Sequence, residues 1–236
     1  MGLLMRIGLA DEDGELNLNM RELVFGFNDG LVSTFAFVAG LAGAKLATGL
    51  ILLVGLISAL ASALSMGFGA WLSTKSEREA YEAELAAQET VLEEHPKQKR
   101  AELKAYLTSL GLSGTTLTNA VRAISKNRIA WASLIMRDVK GKENSRAHSP
   151  MRDSIFMFVA FIFGALFPLL PYALSLDAPF QMSVLLSFTA AFGIGALKTL
   201  ITKRSWIVSG LETLIIVVIL VSVAYAAGMF IEGLVG

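Results

Sequence analysis

The sequence predicts an all-α membrane protein, with five transmembrane helices and a cytoplasmic helical domain inserted between the second and third spans. Three observations carry this. Apolar residues make up 54% of the 236 positions and charged residues 17%, with a mean hydropathy of +0.61, whereas an ordinary soluble domain is about one-quarter charged. The charge is also segregated: residues 75–153 hold 25 of the 40 charged residues, although the formal net charge is zero. Finally, five apolar runs approach or exceed the roughly 20 residues that a helix needs to cross a hydrocarbon core.

Taken in order, residues 1–20 form an N-terminal segment with the acidic stretch "DEDGE" at 11–15. It lacks the ordered basic, apolar and small-residue regions of a signal peptide, so none is expected. Residues 21–74 carry the first two spans. The first run, 23–44, has Asp29 as its one charge; the second, 46–74, has none. At about 1.5 Å per residue the second run exceeds a ~30 Å core, so part of it should project from the membrane. "KSEREAYEAELAAQETVLEEH", 75–95, contains helix formers and no Gly or Pro, and should continue that helix until Pro96 stops it. "KQKRAELKAYLTSLGL" predicts a second helix ended by Gly111. A third helical region follows, with a break near Asn127, before the linker "GKENSRAHSP". Residues 75–150 are thus read as a three-helix domain. Residues 151–236 hold the last three spans, in the charge-free runs 154–176, 178–197 and 213–231, with Asp177 and Pro179 marking the turn between the first two.

Lys and Arg collect on one side of this arrangement: Arg6, Arg21, the inserted domain, Lys198, Lys203 and Arg204. The opposite turns offer Lys45 alone. The positive-inside rule places the N-terminus and the domain in the cytoplasm and the C-terminus outside. With no Cys there is neither disulfide nor thiolate site, and His95 and His148 are the only imidazoles. No Ser/His/Asp arrangement, phosphate-binding Gly-rich loop or His-rich metal motif is present, so an enzyme is not expected, nor is a nucleic-acid partner.

The chemistry centres on "FNDG", 27–30. A charged side chain at the bilayer centre costs about 2.5–3.5 kcal/mol on insertion scales, so Asp29 within a span needs a purpose. Asp29, Ser33, Ala36 and Gly40 fall at i, i+4, i+7 and i+11 on one helix side. Ser58, Ser62, Met66 and Ser73 follow a similar period on the second helix, with Gly55 above them. Small residues in such stripes ordinarily mark helix contacts, and a Met ordinarily fills a core. An acid and a thioether together on two small-residue faces nevertheless suit a borderline divalent cation such as Fe²⁺ or Mn²⁺. Ca²⁺ and Mg²⁺ prefer all-oxygen ligands, and Zn²⁺ prefers His or Cys.

"RELVFGFNDGLVSTFAFVAGLAGA" at 21–44, "ALSMGFGAWLSTKSEREAYEAELA" at 63–86 and "PLLPYAL" at 168–174 closely resemble the vacuolar iron transporter family, and the resemblance runs along essentially the whole chain. It implies a five-span homodimer with a path between the subunits and a cytoplasmic metal-binding domain. The implied activity is export of Fe²⁺ or Mn²⁺ from the cytosol in exchange for protons; the metal is cargo, and no cofactor is implied. It also implies that Asp29 and Met66 are ligands on the path and that Glu22 guards its cytoplasmic mouth. A bacterial or archaeal cell membrane is expected rather than an organelle.

The departures from the family pattern are informative. Gly69 is followed by Ala70 and Trp71, where the family commonly places an acid before the aromatic. In the inserted domain the family's ligand positions fall on Gln88 and Val91, on Lys97 and Lys99, and on Ile135, Met136 and Val139. Glu102 and Met136 alone remain suited to a metal, and two ammonium groups would repel one. The path is expected to be preserved and the domain's metal cluster lost. A non-transporting membrane adaptor that keeps the fold is the alternative.

Overall fold

The computed structural model describes residues 19–136, 149–199 and 205–235, with side chains from Leu23 onward. All regular structure among them is helical: α1 Asn19–Gly43, α2 Thr48–Glu94, α3 Pro96–Ser109, α4 Gly114–Lys126, α5 Arg128–Leu134, α6 Pro150–Ala173, α7 Pro179–Leu197 and α8 Trp206–Val235. Five of these, α1, α2, α6, α7 and α8, are long and apolar enough to cross a membrane. The chain divides into two compact units, one formed by Met1–Trp71 with Met151–Gly236 and the other by Leu72–Pro150.

In the first unit the helices meet through residues without bulk, as expected where lipid supplies no hydrophobic drive and van der Waals contact must do the work. A Cβ at Gly30 would overlap the main chain of Phe161 on α6, and one at Gly164 would overlap that of Phe27 on α1. Gly228 on α8 lies equally close to Gly40, and Gly43 to Tyr225, so α1 is held between α6 and α8. Two clusters fill the gaps. Leu31, Phe35, Ala39, Ala191, Val217 and Val221 join α1, α7 and α8. Val38, Ile51, Ala59, Ala63, Phe161, Ala165, Leu169 and Tyr172 join α1, α2 and α6. Large apolar side chains such as Leu53, Ile57, Phe163, Leu185 and Ile219 point outward, the inverse of a soluble protein and the pattern of a lipid-facing surface.

The turns between spans share one device. After α1, Leu46 N–H donates to Leu41 O and Lys45 N–H to Ala42 O, with Lys45 at φ 54°. After α6, Leu176 donates to Pro171 O and Ser175 to Tyr172 O, with Ser175 at φ 51°. These are Schellman closures that satisfy the last carbonyls of each helix. The glycine usually favoured at the left-handed position is replaced by Lys45 and Ser175. Lys45 Nζ then lies 3.0 Å from Glu232 Oε1 near the end of α8. Within α6, Pro168 and Pro171 cannot donate to the carbonyls of Gly164 and Phe167. Ser183 of α7 donates to Pro168 O at 2.8 Å.

The second unit has its own core. Tyr81, Leu85 and Leu92 recur at helical spacing along α2, and they pack with Leu103, Leu107, Leu117, Trp131, Ala132 and Met136. Gly111, at φ +90°, closes α3 with the same Schellman pattern. At the break between α4 and α5 the Asn127 side chain accepts from Ala130 N–H, a helix N-cap. Ion pairs Arg78–Glu82, Lys75–Glu79, Lys99–Glu102 and Arg128–Glu93 line its surface.

Three helix starts precede the expected runs, α1 beginning at Asn19 and not at 23. The fifth apolar helix begins at Trp206, seven residues before the run at 213, and contains Glu212. The third begins at Pro150, placing Asp153 in its first turn. Residues 1–18 and most of the linker at 141–150 lie outside the described residues.

Candidate functional site

α1 has two unlike sides. Gly26, Gly30, Leu31, Phe35, Val38 and Ala39 are buried, whereas Asp29, Ala36 and Gly40 are half-buried and Ser33 is exposed. The close approach of Gly30 to Phe161 turns one side of α1 into α6, and the neighbouring Asp29 is left at the edge of that contact. Ser33 Oγ donates to the main-chain oxygen of Asp29 at 2.5 Å, a bond within the helix that leaves the carboxylate oxygens free of that serine.

On α2 the division is similar. Ile51, Gly55, Ala59, Ala63 and Gly67 are buried at four-residue spacing, while Ser58, Ser62 and Met66 are half-buried beside them. Met66 packs on the cluster containing Phe161. A Cβ at the adjacent Gly67 would lie 3.3 Å from Phe158 Cβ and 3.4 Å from Ser154 O. Asp29 and Met66 are therefore each next to a glycine that packs on α6, Gly30 on Phe161 and Gly67 on Phe158 and Ser154. Neither is sealed in the core, although Gly40, on the Asp29 stripe, is packed against Gly228 of α8.

Of the other expected site residues, those described lie in different surroundings. Glu22 sits in the first turn of α1, with its side chain outside the described part of the structure. Glu102 is exposed and receives hydrogen bonds from Lys99 Nζ at 2.6 Å and Gln98 at 3.3 Å; the Lys99 contact holds its carboxyl below the usual range. Met136 is fully buried in the apolar core of the second unit. Gln88 and Val91 are half-buried and Lys97 exposed, and Val139 lies outside the described residues. No group of three or more His, Asp or Glu capable of holding a metal occurs among the described residues. What α1 and α2 can offer a cation chemically is one carboxylate, Asp29, and one thioether, Met66, each half-buried.

Sequence reasoning passed over Asp153. It is 4% exposed, and its four-residue spacing to Met157 and Phe161 puts it on the inner face of α6. That periodicity was the available signal, hidden because the charge interrupts the apolar run.

The model of the VIT family matches residues 20–229. A protein named vacuolar iron transporter 1 from Arabidopsis thaliana is 30% identical over 216 residues, covering 90% of this chain and 86% of that protein. One of the same name from Tulipa gesneriana is 30% identical over 215 residues, covering 90% and 87%. A vacuolar iron transporter from Toxoplasma gondii is 32% identical over 179 residues, covering 75% and 55%. These relatives are plant and apicomplexan, and give no support to the expected bacterial or archaeal membrane. The match across nearly all of the chain, on a fold of five apolar helices, places this protein in the VIT family, a family of membrane transporters and not of enzymes.

Proposed function

We propose that the chain moves Fe²⁺ or Mn²⁺ across a membrane, out of the cytosol and in exchange for protons, along a path that passes Asp29 and Met66. The observation that carries this is their common neighbour: both are half-buried, and each is next to a glycine, Gly30 or Gly67, that packs against α6. A hard carboxylate with one soft sulfur favours a borderline divalent ion, and two donors bind weakly enough for release.

A half-open stripe of small residues is also the surface a second copy would cover, so the path is read as lying at a homodimer interface. Each protomer would then supply an Asp29 and a Met66, turning two donors into four. The Lys and Arg distribution orients the N-terminus, Glu22 and the inserted domain toward the cytoplasm, where Glu22 would concentrate cations before entry. Domain limits of 75–150 for the cytoplasmic module, and of 21–74 and 151–236 for the membrane part, belong to the same reading. The named function of the relatives, iron transport, agrees with it.

A second reading, a non-transporting adaptor that keeps the fold, draws on the second unit. There Met136 serves the core and Glu102 is engaged by Lys99. Uptake of Fe²⁺, Mn²⁺, Co²⁺ and Zn²⁺ into proteoliposomes across a pH gradient separates the two. Saturable uptake that depends on the gradient supports transport; absence of uptake for every metal supports the adaptor.

A further inference from the structure

Among the described residues Asp153 is the one charged side chain that is buried. It lies in the first turn of α6, inside the membrane unit, and a carboxylate in such a position is retained only where something makes use of it or compensates it. Its surroundings are specific. Met157, one turn further along the same inner face, is also buried, and its sulfur and main-chain oxygen lie 3.2 and 2.8 Å from where a Cβ on Gly26 would stand. Gly26 is three residues before Asp29. The residue after Asp153, Ser154, abuts Gly67 of α2, beside Met66. Asp153 and Met157 thus sit on the helix that contacts both of those carrying Asp29 and Met66, and they lie nearer the end of α6 at Pro150 than Phe161 does, by about two turns and about one turn.

From this placement, and resting on the transport reading above, we infer that Asp153 and Met157 form a second carboxylate and thioether station for the same class of borderline divalent cation, ahead of Asp29 and Met66 on the route. The donor types are those of the first station: one anionic oxygen group and one polarisable sulfur, here i and i+4 on a single helix face. Asp153 already has an interaction partner, and the roughly four lone-pair positions of a carboxylate allow it to take a cation as well. Two weak stations in series suit conduction, because each holds an ion long enough to hand it on and neither traps it.

The plain alternative is that Asp153 only stabilises the α6 N-terminus, where a negative charge is favourable, and that Met157 only fills space. Uptake of Mn²⁺, Fe²⁺ and Mg²⁺ by the full chain in proteoliposomes separates these roles. Asp153→Asn should raise the KM for Mn²⁺ by roughly tenfold with little change in maximal rate, since it removes capture and not the central ligand. Asp153→Glu should restore most of the loss. Met157→Leu, which keeps the packing volume, should narrow the preference for Fe²⁺ and Mn²⁺ over Mg²⁺. Unchanged KM and selectivity in both Asp153→Asn and Met157→Leu, or a fall in maximal rate alone, would overturn the second station while leaving Asp29 and Met66 in place. No uptake by the unsubstituted chain would overturn the transport reading and this inference with it.

Discussion

Gly30 rests directly on the main chain of Phe161, with no room for a Cβ between α1 and α6. That contact presents Asp29, the next residue back, at the margin of the helix pair. Gly30→Ala should force the helices apart and cost about 1–3 kcal/mol, the usual range for overpacking. It should lower the thermal midpoint in detergent, and metal flux should fall with it. Asp29→Asn, at a half-buried edge, should leave that midpoint nearly unchanged.

Met66 touches the Phe161 cluster on one side and is half-buried on the other. Met66→Leu should keep the packing and shift selectivity, reducing Fe²⁺ and Mn²⁺ flux relative to a hard ion such as Mg²⁺. Met66→Ala should add a stability loss, toward the lower end of the ~2–5 kcal/mol seen for large buried residues. Competition between metals in proteoliposomes reads the first effect, and unfolding in detergent the second. A Met66→Leu variant with unaltered selectivity would make Met66 a packing residue only.

Lys45 occupies a left-handed position that glycine fills best, yet its ammonium pairs with Glu232. The side chains are 72% and 36% exposed, so the pair should be worth at most about 1 kcal/mol and weaken with salt. The backbone conformation costs on the order of 1–3 kcal/mol. Lys45→Gly should therefore be neutral or stabilising despite losing the ion pair, whereas Glu232→Gln should be neutral or slightly destabilising. Thermal midpoints at low and high salt compare the two.

Much of this architecture is legible in the sequence, for reasons the structure makes plain. Spans are set by the length of apolar runs, and Pro96, Gly111 and Asn127 act locally, so the helix ends near them follow from chemistry within a few residues. Reading failed where a charge sits close to the start of a membrane helix. Glu212 and Asp153 each end an apolar run, yet α8 starts at Trp206 and α6 at Pro150, because a helix that packs on neighbours does not stop where hydropathy does. Periodicity reveals faces but not partners: that Gly228 would meet Gly40, or Gly164 meet Phe27, depends on chain topology. Asp29 and Met66 stood out as an acid and a sulfur among small residues. Their common relation to α6 is tertiary and had no linear signature.

In the second unit the surviving candidates are spoken for, Met136 by the core and Glu102 by Lys99. Titration of this unit with Fe²⁺ or Mn²⁺ should show no micromolar site. Micromolar binding at a defined stoichiometry would mean that the acids of the α2 extension rebuild one.

The pairing of Glu102 has its own signature. A carboxyl held below its ordinary value contributes stability above the unfolded-state pKa of about 4.3, and that contribution fades as pH falls through the lower folded value. Lys99→Ala should raise the Glu102 pKa toward the ordinary value, read by NMR titration of its side chain. With both groups largely in solvent, the effect on stability should be small.

The central claim is that Asp29 binds the transported ion, and Mn²⁺ flux into proteoliposomes across a pH gradient tests it most directly, comparing the unsubstituted chain with Asp29→Asn at matched incorporation and matched thermal stability. The account predicts that Asp29→Asn falls to the rate of empty liposomes or close to it, because the substitution removes the only formal charge in its span while keeping the shape of the side chain. Flux in Asp29→Asn equal to that of the unsubstituted chain would contradict the account.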